Sequence, residues 1–217
     1  NLNSFEYDPV FGRQTRITDA LNQVTAMTYD SQGNLVSKSD PLSHSTVFTY
    51  NQFGQVLSMT DPLSQTTSFE YDAFGNLIKV IDPLGNQTTR TYDLASRPTS
   101  ISDSRGKTTQ FTYDALNRII QIADSIGNFT QLTYDPNGNL LGAIDAKGQT
   151  HTYTYDNRDR LTTHVDHLNR IERYEYDLAA NLVRYTDQKN QVTTYSYDVF
   201  NRRTGVQYSD GSTVNFA

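Results

Sequence analysis

The sequence predicts an all-β fold: a continuous antiparallel meander of about ten two-stranded repeats of 21 residues, in a curled or spiralling sheet. Three observations carry this reading. A Tyr-Asp pair returns at a fixed phase along all 217 residues. Each period holds two turn signals, about ten residues apart. The segments between them are rich in Thr, Val, Ile, Leu and Tyr, a strand composition.

The pairs are Tyr7-Asp8, Tyr29-Asp30, Tyr71-Asp72, Tyr92-Asp93, Tyr113-Asp114, Tyr134-Asp135, Tyr155-Asp156, Tyr176-Asp177 and Tyr197-Asp198. Tyr50-Asn51 fills the gap; of the nine intervals, eight are 21 residues and the first is 22. A constant period of this size marks one supersecondary unit stacked many times. The strand leading into each Tyr alternates. Phe48 with Tyr50, Phe69 with Tyr71, Phe111 with Tyr113, Leu132 with Tyr134 and Tyr153 with Tyr155 share a face, and Thr49, Glu70, Thr112, Thr133 and Thr154 between them are polar. Such period-two alternation marks a half-buried antiparallel strand. The repeat tyrosines are therefore expected on one face and substantially buried.

The first turn follows the Tyr-Asp pair, as in Ala73-Phe74-Gly75-Asn76. Gly supplies the positive φ that a tight turn needs; Ser96, Asn117, Asp159, Ala180 and Asn201 stand at the Gly75 phase elsewhere. The second strand, Leu77-Ile78-Lys79-Val80-Ile81, does not alternate cleanly; a bulge and cover on both sides are both open readings. Asp82-Pro83-Leu84-Gly85-Asn86 makes the second turn. The extra residue of the first interval is expected in the turn Asp8-Pro9-Val10-Phe11-Gly12, and in the last unit Asp210-Gly211 reads as displaced by two residues. About twenty strands at ~4.8 Å each would run on the order of 90–100 Å, and an open sheet of that size is expected to coil because its strands twist.

Composition limits the function. A net charge of -6 argues against nucleic acid, which wants a basic stripe, and disfavours anionic lipid. Most of the 24 acidic residues are Asp at turn phases, so the acidity follows from turn chemistry. The chain has no Cys, which removes thiol catalysis and thiolate metal sites. No run approaches a membrane span. Neither end has a distinct capping repeat, so residues 1–217 are expected to be a single array within a longer chain.

Tyr-Asp-x-x-Gly-Asn/Arg-Leu, then Asp and Gly, then Thr-x-x-x-Tyr-Asp, resembles the RHS repeat, also called the YD repeat, over essentially the whole chain. The family includes bacterial polymorphic toxins, components of insecticidal toxin complexes and the animal teneurins. The resemblance implies a β-strip that spirals into a hollow shell, secreted or at the cell surface, which in the toxins holds a C-terminal effector. Its partners would be the remainder of its own shell and an enclosed toxin domain. The family's self-cleavage motifs have the form Asp-Pro-x-Gly. Asp82-Pro83-Leu84-Gly85 and Asp135-Pro136-Asn137-Gly138 match it, but both fit ordinary repeat phases and read as turns.

The repeat residues are expected to be structural. No Ser-His-Asp constellation, phosphate loop or dinucleotide fingerprint is present, so the expectation is a scaffold and not an enzyme, with no catalytic, cofactor or metal residues. Single aspartates ten residues apart suit turn capping better than calcium, which needs converging oxygens. His164 and His167 lack a third ligand at suitable spacing; with His44 and His151 they read as variation within strands and turns. The alternative function is a repeat module that binds carbohydrate or protein, although glycan-binding repeats lean on Trp and this chain has none. Open strand edges also make edge-to-edge association, and a filament, possible.

Overall fold

A computed structural model of the chain describes residues 3–216. They form 21 strands and, among the described residues, no helix. The chain divides into two compact units, Asn1–Thr108 and Thr109–Ala217.

In the first unit the strands are β1 (Ser4–Tyr7), β2 (Gln14–Thr18), β3 (Val24–Tyr29), β4 (Leu35–Ser39), β5 (Ser45–Tyr50), β6 (Val56–Thr60), β7 (Thr66–Tyr71), β8 (Leu77–Ile81), β9 (Gln87–Tyr92) and β10 (Pro98–Ser102). Each pairs antiparallel with its sequence neighbour. The second unit follows the same rule. It holds β11 (Thr108–Tyr113), β12 (Ile119–Ala123), β13 (Phe129–Tyr134), β14 (Leu140–Ile144), β15 (Thr150–Tyr155), β16 (Leu161–Val165), β17 (Ile171–Tyr176), β18 (Leu182–Thr186), β19 (Val192–Tyr197), β20 (Arg203–Gln207) and β21 (Thr213–Asn215). The all-β meander of two-stranded repeats is thus the observed fold.

Both turns of the repeat are one device. In the turn after Tyr71, the Asp72 N–H donates to the Asn76 carbonyl (3.0 Å) and the Gly75 N–H to the Asp72 carbonyl (3.1 Å). The Asp72 carboxylate accepts from the N–H groups of Phe74 (2.9 Å) and Asn76 (2.9 Å). The Asp82 turn repeats this pattern, with Leu84 (2.9 Å) and Asn86 (2.8 Å) as donors. An Asp side chain that bonds its own downstream backbone fixes the loop without help from a core. The fourth residue has positive φ, as at Gly75 (φ 87) and Gly85 (φ 82).

The extra residue of the first interval lies in its turn, as expected: Asp8 bonds Arg13 there, five residues on. In the last turn Tyr208 takes the Asp position while Gly211 stays in phase, and the Asp210 carboxylate accepts from the Ser212 N–H (2.8 Å).

The irregular second strand is explained by a bulge in every Tyr-Asp hairpin. Tyr71 pairs with Leu77 and Glu70 with Lys79, so Ile78 is the inserted residue; Phe69 then pairs with Val80. The insertion shifts the alternation by one, which returns Leu77 and Val80 to the Tyr face and places Lys79 opposite Glu70. Lys79 Nζ lies 3.1 Å from Glu70 Oε1.

The packing differs from the expectation in degree. Tyr71, Tyr92, Tyr113 and Tyr134 are half-buried, and Val206, at 7% exposure, is the one buried apolar side chain among the described residues. Within each unit the described strands pack only against their sequence neighbours, so each ring is covered only by neighbours on its own face.

Ala180 holds the left-handed position of its turn with φ 70. That conformation brings Cβ against the backbone. Ala180→Gly is expected to stabilise the chain by about 0.5–1 kcal/mol, read as a higher midpoint in urea. An unchanged or lower midpoint would show that the turn carries no strain.

Candidate functional site

In each unit the repeated side chains converge on an aromatic face and two rows of Asp turns. On the face, cross-strand partners follow the bulged register: Phe48 opposes Met59, Phe69 Val80, Phe111 Ile122, Leu132 Ala143, Tyr174 Tyr185 and Tyr195 Val206. Such pairs are the unit of sheet stability. The opposite face carries hydroxyl contacts, among them Thr49 Oγ1 to Ser58 Oγ (2.7 Å) and Thr91 Oγ1 to Ser100 Oγ (2.7 Å).

The repeat Tyr also joins successive repeats. The β8–β9 ladder ends at Lys79 opposite Thr89, so the Leu77 carbonyl lies past the last paired residue. The Tyr92 hydroxyl donates to it at 3.0 Å. The same bond, reaching back 15 residues, runs from Tyr29 to Gln14 (2.9 Å), Tyr50 to Leu35 (2.8 Å), Tyr155 to Leu140 (3.1 Å) and Tyr197 to Leu182 (3.0 Å). The phenol satisfies a carbonyl that the bulge removes from the ladder. Burial, with nearby Asp30 adding to it, pushes the Tyr50 hydroxyl above its ordinary value; burial does the same at Tyr155.

The Asp beside each Tyr is held by the fourth residue after it, which is usually Asn or Arg. Asn34, Asn76, Asn139 and Asn181 donate to Asp30, Asp72, Asp135 and Asp177 at 2.8–2.9 Å. Arg97, Arg118, Arg160 and Arg202 do so to Asp93, Asp114, Asp156 and Asp198 at 2.6–2.7 Å. Arg reaches further. The Arg160 guanidinium covers the Tyr176 ring at 4.7 Å and donates to the Asp177 carbonyl at 3.0 Å; Arg118 treats Tyr134 and Asp135 alike. At Asn51 an amide replaces the carboxylate and accepts from the N–H groups of Phe53 (2.9 Å) and Gln55 (3.1 Å). The first Tyr, Tyr7, is exposed, and Asp8 accepts from the N–H groups of Phe11 (2.6 Å), Val10 (2.9 Å) and Arg13 (2.9 Å).

One part of the face escaped the sequence reading. His151, His164 and His167 do not scatter: the His151 ring centroid lies 5.3 Å from that of His164 and 5.8 Å from that of His167, and the Tyr153 ring stacks on His164 at 4.8 Å. Glu172 joins them through His164. The signal is the strand register, which places His164 opposite both Tyr153 and Glu172. Among the described residues no group of three or more His, Asp or Glu is arranged to hold a metal ion.

Two predictions test the repeat chemistry. Tyr50→Phe, which removes only the hydroxyl, is expected to cost about 1 kcal/mol in urea unfolding; no loss would mean that the Leu35 carbonyl needs no partner. Hydrogen bonding from Arg160 first, and from the turn backbone, holds the Asp156 carboxyl down at about 2. A carboxyl lowered on folding contributes stability above its ordinary range that is lost as pH falls toward the folded value. Circular dichroism is expected to show the fold intact near pH 5 and failing between about pH 4 and 2. Asp156→Asn, which copies the amide of Asn51, is expected to stay folded at pH 7 with a shallower acid transition; an identical acid curve would remove Asp156 from the cause.

The RHS Repeat family model matches residues 7–45, 29–66, 50–88, 71–108, 92–128, 113–150, 134–168 and 176–213. No curated protein matches the chain. Among solved structures, the crystal structure of TcdB2-TccC3-Cdc42 is similar at 14% identity and TM-score 0.53, over 98% of this chain and 17% of that one. The Photorhabdus luminescens Tc holotoxin pore with the TccC3-D651A mutation aligns at 15% identity over 98% of this chain and 17% of that one, with a TM-score of 0.34 that carries no weight for the fold. The chain therefore spans 17% of the length of these toxin-complex chains. With seven overlapping matches over residues 7–168 and an eighth over 176–213, the chain belongs to the RHS repeat family, and its repeats are a structural scaffold.

Proposed function

We propose that this array is a segment of the wall of an RHS shell that encloses a toxin or effector domain, secreted or displayed at the cell surface. The observation that supports the reading is the aromatic face. Most of its rings and aliphatic side chains remain half-buried in each unit, and among the described residues each strand packs only against its sequence neighbours. Half-buried apolar surface on this scale calls for cover from elsewhere, and an enclosed domain or further wall supplies it. The names TcdB2 and TccC3 belong to toxin-complex proteins and support the toxin context by analogy of fold.

In this reading residues 1–217 act as one array, and the repeat Tyr and Asp residues are structural. The wall contributes no catalytic group and needs no cofactor; chemistry resides in what it encloses. Its partners are the rest of its own shell and the enclosed domain, not nucleic acid or membrane.

Protease protection in the complete parent protein tests the proposal. Segments outside the array are expected to resist proteinase K while the wall is intact, and to be digested once Tyr113→Ala and Tyr134→Ala open the face. Equal digestion of both forms would overturn enclosure.

A polypeptide of these 217 residues by itself presents β1 and β21, both exposed along their length and each paired with one described strand. Such edges template further pairing. Sedimentation velocity is expected to show a weight-average mass that rises with concentration; a monomer throughout would show that the edges are self-protected.

A further inference from the structure

The aromatic face of the second unit is interrupted by a chain of titratable side chains. One strand phase reads Thr25, Thr46, Thr67, Thr88, Thr109 and Thr130, then His151 and Glu172, then Thr193. The position opposite it is mostly apolar, with Met59, Val80 and Ile122, but holds His164 between Tyr153 and Glu172. Two successive repeats thus exchange threonine for ionisable groups, and the partner strand follows. The small Ala143 opposite His151 leaves room for the ring.

Hydrogen-bond accounting limits the protons this chain can hold. Glu172 Oε2 lies 2.9 Å from His164 Nδ1. A carboxylate only accepts, so His164 Nδ1 carries hydrogen. His164 Nε2 lies 3.0 Å from His151 Nδ1. With both rings neutral, His151 Nδ1–H donates to the His164 Nε2 lone pair. With one proton added, His164 becomes an imidazolium and donates to His151 in its other tautomer. A second proton puts hydrogen on both facing nitrogens, and an attraction at 3.0 Å becomes a collision between two cations.

The surroundings do not relieve that conflict. Glu172 is fully engaged: besides His164 it accepts from Tyr174 (3.1 Å), Tyr185 (3.1 Å) and Gln188 (3.3 Å). Its carboxyl is held below its ordinary value, chiefly by the His164 hydrogen bond, so it stays charged through the histidine range. His167, 5.8 Å from His151 between ring centroids, adds a third potential cation. Asp145, in the turn before β15, attracts both His151 and Lys147 of the same turn. Arg170 is committed to Asp166, and Asp187 acts on Tyr185.

We propose that His151, His164 and Glu172 form an acid-sensitive joint: the two imidazoles share at most one extra proton while β15, β16 and β17 keep their register, and a second proton opens the aromatic face there. Histidine changes charge between about pH 5 and 8. In that range the open joint binds two protons and the closed joint one, so closure is favoured at higher pH and lost as pH falls. A difference of one proton makes the opening constant rise about tenfold per pH unit. Repeat arrays transmit stability between neighbours only, which confines the opening to these strands.

Hydrogen-exchange mass spectrometry on the full chain from pH 7.5 to 5, corrected for the intrinsic exchange rate, tests this. The opening constant over residues 150–176 is expected to rise about tenfold per pH unit in the acid half of that range, while the equivalent residues 66–92 stay constant. His44, 2.9 Å from Asp40, takes a proton without conflict, so its own strands are not expected to loosen. His151→Thr restores the residue of the other repeats and is expected to abolish the rise over 150–176. His164→Val, which copies Val80, is the second variant should the first fold poorly, with the same expectation. A rise that persists in the folded variant, or one shared equally by residues 66–92, overturns the joint. So does NMR titration of the histidine nitrogens showing both rings fully protonated while residues 150–176 remain protected.

Discussion

Strands that pack only against their sequence neighbours, as the described ones do within each unit, have to take their register from their turns, and here the aspartate carboxylate sets them. Asp72 and Asp82 each bind two downstream N–H groups while their own N–H and carbonyl close the same loop. Every face depends on this, because a slip of one residue would send the aromatic side chains to the Thr side. In a sandwich or barrel the core would penalise such a slip. Here each repeat carries its own correction. The turn geometry therefore recurs at nearly every Asp, whereas the residue at the left-handed position varies from Gly75 to Ser96, Asn117 and Ala180.

The bulge and the Tyr hydroxyl form a second layer of constraint. The insertion at Ile78 returns Leu77 to the face of Tyr71 and ends the next ladder early, which leaves a carbonyl in need of a donor. Tyr92 supplies it from the following repeat. The defect in one hairpin becomes the attachment point of the next. Phe could fill the same space but could not make that bond, a physical reason for Tyr at this phase. Arg118 and Arg160 strengthen the junction by covering the following ring and binding the following turn.

An array built this way leaves its apolar face half-open and suits a structural scaffold assembled from neighbouring repeats. It also tolerates local exceptions, because a change in one repeat touches only its neighbours. The His151–His164–Glu172 chain is such an exception. Polar groups replace apolar and Thr side chains across three strands, yet the Glu172 carboxylate is saturated with donors. A half-satisfied network at the same place would cost more than the apolar pairs it displaces.

The sequence alone determined the all-β class, the 21-residue period, both turns and the face on which the Tyr side chains lie. Each of these is local: Asp and Gly at fixed offsets, and alternation over six residues such as Thr66–Tyr71. The extra residue near Gly12 was legible for the same reason, since a turn absorbs an insertion that a strand cannot. The second strand was not legible, because the bulge at Ile78 breaks the period-two rule on which strand reading rests. Half-burial of the tyrosines was hidden too: alternation tells which face a ring takes but not whether a second layer covers it. The histidine chain was decided by tertiary structure alone. His151, His164 and Glu172 stand on three strands, and only the register that turn and bulge jointly set brings a nitrogen of each imidazole within 3.0 Å of its neighbour.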